Sequence, residues 1–373
     1  MKILQITAAL QQGGVERGTV EMAAYIVAQG AQSLVASQGG RLVEELEAQG
    51  SRHLQLPLAR RTPWIILSNA FKLRRIIQQE KVSLVHARSR APAWAAYLAC
   101  RWTGVPFLTT FHGTHRIQNR LKRFYNSIMV RGQRVIAISG FIKTHVMTHY
   151  AVDEARIDLA PRGYDPDVFN PDLVDVSCIR PLQQHLELSE GVPVISLPGR
   201  LTRWKGQVVL LEALNQIKDL SWQVMFIGGE EKKAAYLLEL QNLATRYQIA
   251  DRVRFVGTQA DIALYYQLSD LVVSASTEPE AFGRVAVEAQ AMGCPVIASA
   301  HGGALETVRD GETGWLFKPG DVDDLAATLR RVLTGNDDLR AVGARGRQWV
   351  AEHYTIDRMC QAEWNCYEKV VRR

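Results

Sequence analysis

Acidic residues are nearly missing from one long stretch of this chain. Between residues 52 and 152 a single carboxylate, Glu80, faces 17 Lys and Arg. No run of about 18 apolar residues occurs anywhere, so no membrane-spanning helix is expected. The segment Met1–Thr7 is too short and interrupted for the apolar core of a secretory leader. Cysteine is scarce and odd in number: Cys100, Cys178, Cys294, Cys360 and Cys366 include no CxxC pair. That argues against a disulfide framework or a thiolate metal site, and for reduced thiols in the cytoplasm. The phosphate loop order GxxxxGK[ST] is absent, as is GxGxxG after the first apolar run. No internal repeat or low-complexity segment is present, and 47% hydrophobic against 22% charged residues is ordinary for a folded protein.

What is there begins with Glu278-Pro279-Glu280-Ala281-Phe282-Gly283-Arg284-Val285-Ala286-Val287-Glu288. The apolar run Leu271–Ala275 before it reads as a buried strand. The order is then strand, loop with Glu280, and helix with Glu288 about two turns inside. A carboxylate within an apolar helix costs free energy unless it finds a polar partner. The helix start aims free N–H groups, those of Gly283 and Arg284, at the loop beside Phe282, and such a start favours an anion. Hydroxyl-binding carboxylates beside an anion site suit a nucleotide sugar.

Short apolar runs alternate with helical stretches through both halves. Lys2–Thr7, Ser33–Ser37, His53–Leu56, Ser83–Ala87, Val105–Phe111 and Val135–Ser139 read as strands in the first half. Val194–Leu197, Gln223–Ile227, Val253–Val256, Leu271–Ser274, Val296–Ser299 and Trp315–Phe317 do so in the second. This alternation predicts an α/β protein of two doubly wound, Rossmann-like domains facing across a cleft, with ligand at the strand C-terminal ends. The Pro- and Gly-rich segment Pro161–Pro171 marks the hinge. The expected domains are residues 1–171 and 172–348, with a helix over 349–373 returning to the first.

Gly199-Arg200-Leu201-Thr202-Arg203-Trp204-Lys205-Gly206 directly follows a predicted strand. Gly199 permits close backbone approach, and Arg200 and Lys205 offer a fork and a point charge suited to a diphosphate. Gly13-Gly14 opens a helix after the first strand, and His112 stands at a strand end where its side chain reaches the cleft. Gly228-Gly229-Glu230 and Val256-Gly257 are candidates to line a base pocket. The isolated Gly-Gly and the isolated His also have bland structural readings.

Together these segments resemble the retaining glycosyltransferase family 4 of the GT-B fold, which includes bacterial glycan and lipopolysaccharide glycosyltransferases. The resemblance covers nearly the whole chain. It implies that Arg200 and Lys205 hold the donor diphosphate and that Glu280 and Glu288 form the EX7E pair. Glu288 would grip the ribose, Glu280 the donor sugar, His112 a far sugar hydroxyl or the acceptor, and Gly14 the diphosphate. The implied catalytic set is Glu280, His112, Arg200 and Lys205. The implied donor set is Gly14, Gly199, Arg200, Lys205, Gly229, Phe282, Gly283, Arg284 and Glu288. Ser139-Gly140-Phe141-Ile142 and the Pro161–Asp165 loop also look like family landmarks, with Arg162 where Asn is usual. A sugar-nucleotide epimerase or a non-catalytic nucleotide-sugar binder of the same fold is the alternative.

With two cations at the leaving group, no metal and no cofactor are expected. Asp165-Pro166-Asp167 and Asp321-Val322-Asp323 spell DxD by chance in this reading. The donor base is open among UDP, GDP and ADP. Residues 1–180 hold 23 basic and 13 acidic residues, the remainder 21 and 25. The basic front suits a lipid-linked or cell-surface glycan acceptor or an anionic membrane more than nucleic acid, for which no reading motif exists. The expected location is cytoplasmic, peripheral at the inner face of the membrane. Residues 116–131 carry an amphipathic pattern that either packs on the core or lies on lipid.

Overall fold

A computed structural model describes residues 1–11, 13–115, 119–229, 234–335 and 338–372. The chain divides into two compact units, Met1–Arg162 with Ile356–Arg373, and Gly163–Thr355.

The first unit holds seven strands: β1 Lys2–Ile6, β2 Gln32–Ser37, β3 Arg52–Gln55, β4 Leu84–Ala87, β5 Phe107–Phe111, β6 Arg134–Ala137 and β7 Ile157–Leu159. They pair in parallel in the order β3-β2-β1-β4-β5-β6-β7. The second holds β8 Val194–Pro198, β9 Gln223–Ile227, β10 Val253–Gly257, β11 Leu271–Ser274, β12 Val296–Ser299 and β13 Gly314–Phe317. These are also parallel, in the order β10-β9-β8-β11-β12-β13. The central strands read as continuous apolar runs because helices cover both faces. Each sheet reverses its winding once, between β1 and β4 and between β8 and β11. At such a switch point the loops leaving the two strands part and open a crevice.

The boundary at Arg162 differs from the one expected at residue 171. Gly163–Pro171 belongs to the second unit because Tyr164 N–H donates to the Tyr354 carbonyl at 2.8 Å. Phe169 packs edge-on against Tyr266, and Arg347 donates to Asn170 at 2.9 Å. The single helix expected over 349–373 is two helices, Leu339–His353 and Ile356–Val371. Tyr354 breaks them: its carbonyl is taken by Tyr164, and its hydroxyl donates to the Glu306 carbonyl at 2.8 Å.

Only the second of these helices joins the first unit, where it packs on the Gly14–Ala28 helix and on β4, β6 and β7. Its buried face includes Met359, Cys360, Glu363, Cys366, Tyr367 and Val370. Glu363 pairs with Arg88, which follows β4, and both side chains are fully buried. Arg88 also donates to Gln5 at 2.6 Å. Beside them His86 bridges the Tyr367 hydroxyl and Thr110, each at 2.7 Å.

Candidate active site

In the second unit the predicted residues gather at the β8/β11 switch point. β8 ends at Pro198, and Gly199 N–H donates to the Ile227 carbonyl at 2.8 Å, while Leu201 N–H donates to that of Gly229 at 3.1 Å. Gly229 is itself braced against Thr258, whose hydroxyl leaves no room for a Cβ there. Gly206 is the steric hinge of this segment. It is left-handed (φ +75°), and a Cβ would stand 1.9 Å from the Ala275 carbonyl oxygen. The segment can therefore turn into the Gln207–Gln216 helix while pressed against the end of β11. Arg200 is exposed, and its carbonyl is held by the buried Gln207 side chain at 3.0 Å.

That packing delivers Lys205 to the loop after β11. Its ammonium lies 2.7 Å from Glu280 Oε1, with both side chains mostly buried, and 4.5 Å above the Trp204 ring. Ser276 donates to the same Oε1, whereas Oε2 accepts from no described residue. Gly303 N–H fixes the Glu280 carbonyl at 2.9 Å. His301 Nε2 lies 2.8 Å from the Ser276 carbonyl; burial lowers its pKa, against the pull of that bond and of Glu280.

The helix bearing Glu288 starts at Arg284, not earlier, so Glu288 sits one turn inside rather than two. Gly283 stops it from beginning sooner by taking a left-handed conformation (φ +88°). The helix start has no side-chain cap and no acid in its first turn, so its N–H groups and positive end suit an anion. Glu288 is 8% exposed and meets both needs of a buried carboxylate. Arg284 donates to Oε1 at 2.7 Å and the Tyr266 hydroxyl to Oε2 at 3.2 Å. Burial and the Glu288 charge push the Tyr266 phenol well above its ordinary pKa, which keeps it a donor. Phe282 is buried edge-on against Tyr354.

Gly14 and His112 belong to the first unit. Gly14 opens the Gly14–Ala28 helix after β1, and His112 follows β5. Arg162 brings them together: it donates to the Gly14 carbonyl and lies 3.4 Å from His112 Nδ1. Ser139 caps the Gly140–Tyr150 helix through Ile142 N–H.

Sequence reasoning missed Ser276, His301, Tyr266 and Gln207. Ser276 and His301 each stand two residues past a strand end, the same signal that singled out His112. Tyr266 and Gln207 carry no such mark. Both DxD motifs have local roles: Asp321 caps the Val322–Thr334 helix, and Asp165 accepts from Asp167 N–H. Glu230 and residues 116–118 lie outside the described residues.

Two parallel sheets of this order, the second with cations, carboxylates and an uncapped helix start at its switch point, define the GT-B class. Residues 12–168 match the family model for Glycosyltransferase Family 4, and residues 180–349 that for Glycosyl transferases group 1. The chain belongs to the family 4 glycosyltransferases. A crystal structure of a glycosyltransferase from Rickettsia africae ESF-5 superposes with a TM-score of 0.92 at 36% identity, covering 100% of this chain and 99% of that one. A GDP-mannose-dependent alpha-(1-6)-phosphatidylinositol monomannoside mannosyltransferase of Mycobacterium tuberculosis is 29% identical over 300 residues, 77% of this chain and 76% of that protein. A D-inositol 3-phosphate glycosyltransferase of Xylanimonas cellulosilytica is 28% identical over 78% of this chain and 72% of its own length.

Proposed function

We propose that this glycosyltransferase moves a hexose from a nucleotide sugar to a lipid-linked or cell-surface glycan with retention of anomeric configuration, and without a metal ion. The carrying observation is the cluster at the β8/β11 switch point, where Lys205, on the segment that also carries Arg200, is held on Glu280 in the loop that leads to the uncapped helix start at Arg284. Departure of the sugar leaves negative charge on the β-phosphate, and fixed cations there act where charge develops. Glu280, anchored through Oε1 alone, keeps Oε2 for a sugar hydroxyl. Glu288 holds the ribose hydroxyls. Its replacement by Ala should weaken donor binding by about 10–100-fold, the worth of a charged hydrogen bond or two. Glu280→Gln should leave donor affinity within a few fold and slow turnover. Calorimetry with equal donor affinity for wild type and Glu288→Ala would contradict these roles.

The first unit supports an acceptor at an anionic membrane. No helix among the described residues is long and apolar enough to cross a membrane. The Pro63–Glu80 helix buries Asn69, Ala70, Leu73 and Ile77 against the Arg90–Thr103 helix. It leaves Trp64 79% exposed, with Leu67 and Phe71 on the same exposed face. Phe71 stacks on the exposed Trp102 at 4.9 Å. Arg60, Arg61, Lys72, Arg74, Arg75 and Arg101 are exposed around them and form no ion pair among the described residues. In the stretch expected to be amphipathic, the described helix is Arg120–Asn126, where Leu121 is 80% exposed and Phe124 is also exposed. Exposed aromatics among cations suit a lipid–water interface, where each cation near anionic lipid contributes about 1 kcal/mol. The names of the two curated relatives, one with phosphatidylinositol monomannoside and one with D-inositol 3-phosphate, support a phosphorylated acceptor.

One experiment tests the whole reading. Purified protein is given a panel of UDP-, GDP- and ADP-sugars with vesicles containing a glycolipid extract, before and after EDTA. One donor is expected to raise the melting temperature and to label lipid at the same rate with EDTA as without. Sedimentation should need anionic lipid, fall with salt, and fall again in Trp64→Ser with Phe71→Ser. Restoration of lost activity by magnesium or manganese would overturn metal independence, and equal binding to neutral vesicles would overturn the membrane assignment.

A further inference from the structure

Arg162 follows β7 across Pro161, and its guanidinium is buried in the first unit. Nη2 donates to the Gly14 carbonyl and faces His112 Nδ1, while Nη1 lies 3.4 Å from Met359 Sδ on the C-terminal helix. The Gly14–Ala28 helix makes room for it at Gly18, where a Cβ would stand 1.9 Å from Nη1. A guanidinium offers donors and no lone pair. The Nδ1 that faces it must therefore be the acceptor, which places the single ring proton of a neutral imidazole on Nε2. That Nε2 is closed to solvent and has no partner among the described residues. A buried N–H left unpaired costs about 1–3 kcal/mol, so its natural use is a donor to a ligand oxygen.

We propose that Arg162 is a positioning residue that fixes His112 as its Nε2–H tautomer, so that His112 donates a hydrogen bond to a hydroxyl of the transferred sugar; this rests on the transferase reading above. The charges around the ring agree with it. Besides burial, the Arg162 and Arg88 guanidiniums, His86 on β4 and His115 in the following loop hold the His112 pKa well below its ordinary value. Glu363 on the last helix pairs with Arg88, and Glu21 on the Gly14–Ala28 helix sits near Cys360. His112 is thus neutral through the physiological range and titrates only in acid. Removing the Arg162 charge raises the pKa of a neighbouring base, so the titration moves toward neutrality.

The test is nitrogen NMR of the full chain carrying 15N-labelled histidine, with His112 assigned by its loss in His112→Gln. In wild type the ring should show a protonated Nε2 and a bare Nδ1. In Arg162→Asn both tautomers should be populated and the midpoint should rise by on the order of one pH unit. Gly18→Ala, which forces the guanidinium aside, should give the same signature, and adding it to Arg162→Asn should change nothing more. It also supplies the answer if Arg162→Asn does not fold. The acid limb of kcat/KM should move upward with the NMR midpoint. A wild-type Nδ1–H tautomer, or a midpoint unmoved in both variants, would overturn the proposal. The NMR readout needs no substrate, so absence of transfer activity would count against the transferase reading alone. A shifted tautomer with an unmoved acid limb would remove the sugar-positioning role.

Discussion

Replacing Lys205 with Ala is expected to lower kcat by about 10²–10³-fold, or roughly 3–4 kcal/mol, the typical effect of removing one fixed donor from a site of developing charge. The reason lies in how the side chain is held. Its stem packs against Gly199, with Cδ and Cε 3.5 Å from where a Cβ would be, and its ammonium is fixed on Glu280. A cation already in place need not reorganise as the leaving group gains charge. In the proposed reading Arg200, five residues before it on the same segment, also holds the ground-state diphosphate, so donor KM should rise only a few fold. The variant also strips Glu280 of its cation, leaving Ser276 as its partner. Two controls separate these effects. Lys205→Arg keeps the charge and should recover part of the rate, whereas Glu280→Gln in the Lys205→Ala background should recover none. A loss of less than tenfold, in pre-steady-state transfer with an unchanged melting temperature, would remove Lys205 from the chemistry.

How far the sequence reached depends on how local each signal is. All six strands of the second sheet were legible because each is a short apolar run bounded by turn residues, and the parallel sheet followed from their alternation with helices. The segments Gly199–Gly206 and Glu280–Glu288 could be read for the same reason: their chemistry is contiguous. Whatever depends on contacts across the fold could not. Ser276 is near Glu280 in the chain, but His301 braces the Ser276 carbonyl from the loop after β12, and Tyr266 reaches Glu288 from a helix before β11. Gly283 stops the helix start because of its left-handed backbone, which spacing alone did not reveal. The Pro63–Glu80 helix shows a different limit. Its sequence has apolar residues on two faces, and only packing against its neighbour determines that Leu73 is inside and Trp64 outside.

The buried pair between Arg88 and Glu363 is the other place where one substitution should have a large effect. Glu363→Ala is expected to destabilise the first unit by about 3–5 kcal/mol, because it leaves a fully buried guanidinium without its counter-charge. Arg88 would keep its bond to Gln5 but lose the bidentate carboxylate that satisfies the rest of its fork. Most of that loss comes from the charge left behind rather than from the worth of the pair. Arg88→Met combined with Glu363→Leu should therefore be much closer to wild type than either single change. Because the chain has two units, one melting curve will not isolate the effect. Amide hydrogen exchange does: protection should fall in the Ile356–Val371 helix and in β1 and β4 while β8 and β11 keep theirs. The same last helix carries Tyr367, whose hydroxyl orders His86, and Met359, which lies against Arg162. Loosening it should therefore also disturb the surroundings of His112. A Glu363→Ala chain with exchange protection like wild type's would show that this ion pair is incidental to the docking of the helix. Loss in both units alike would show instead that they unfold as one.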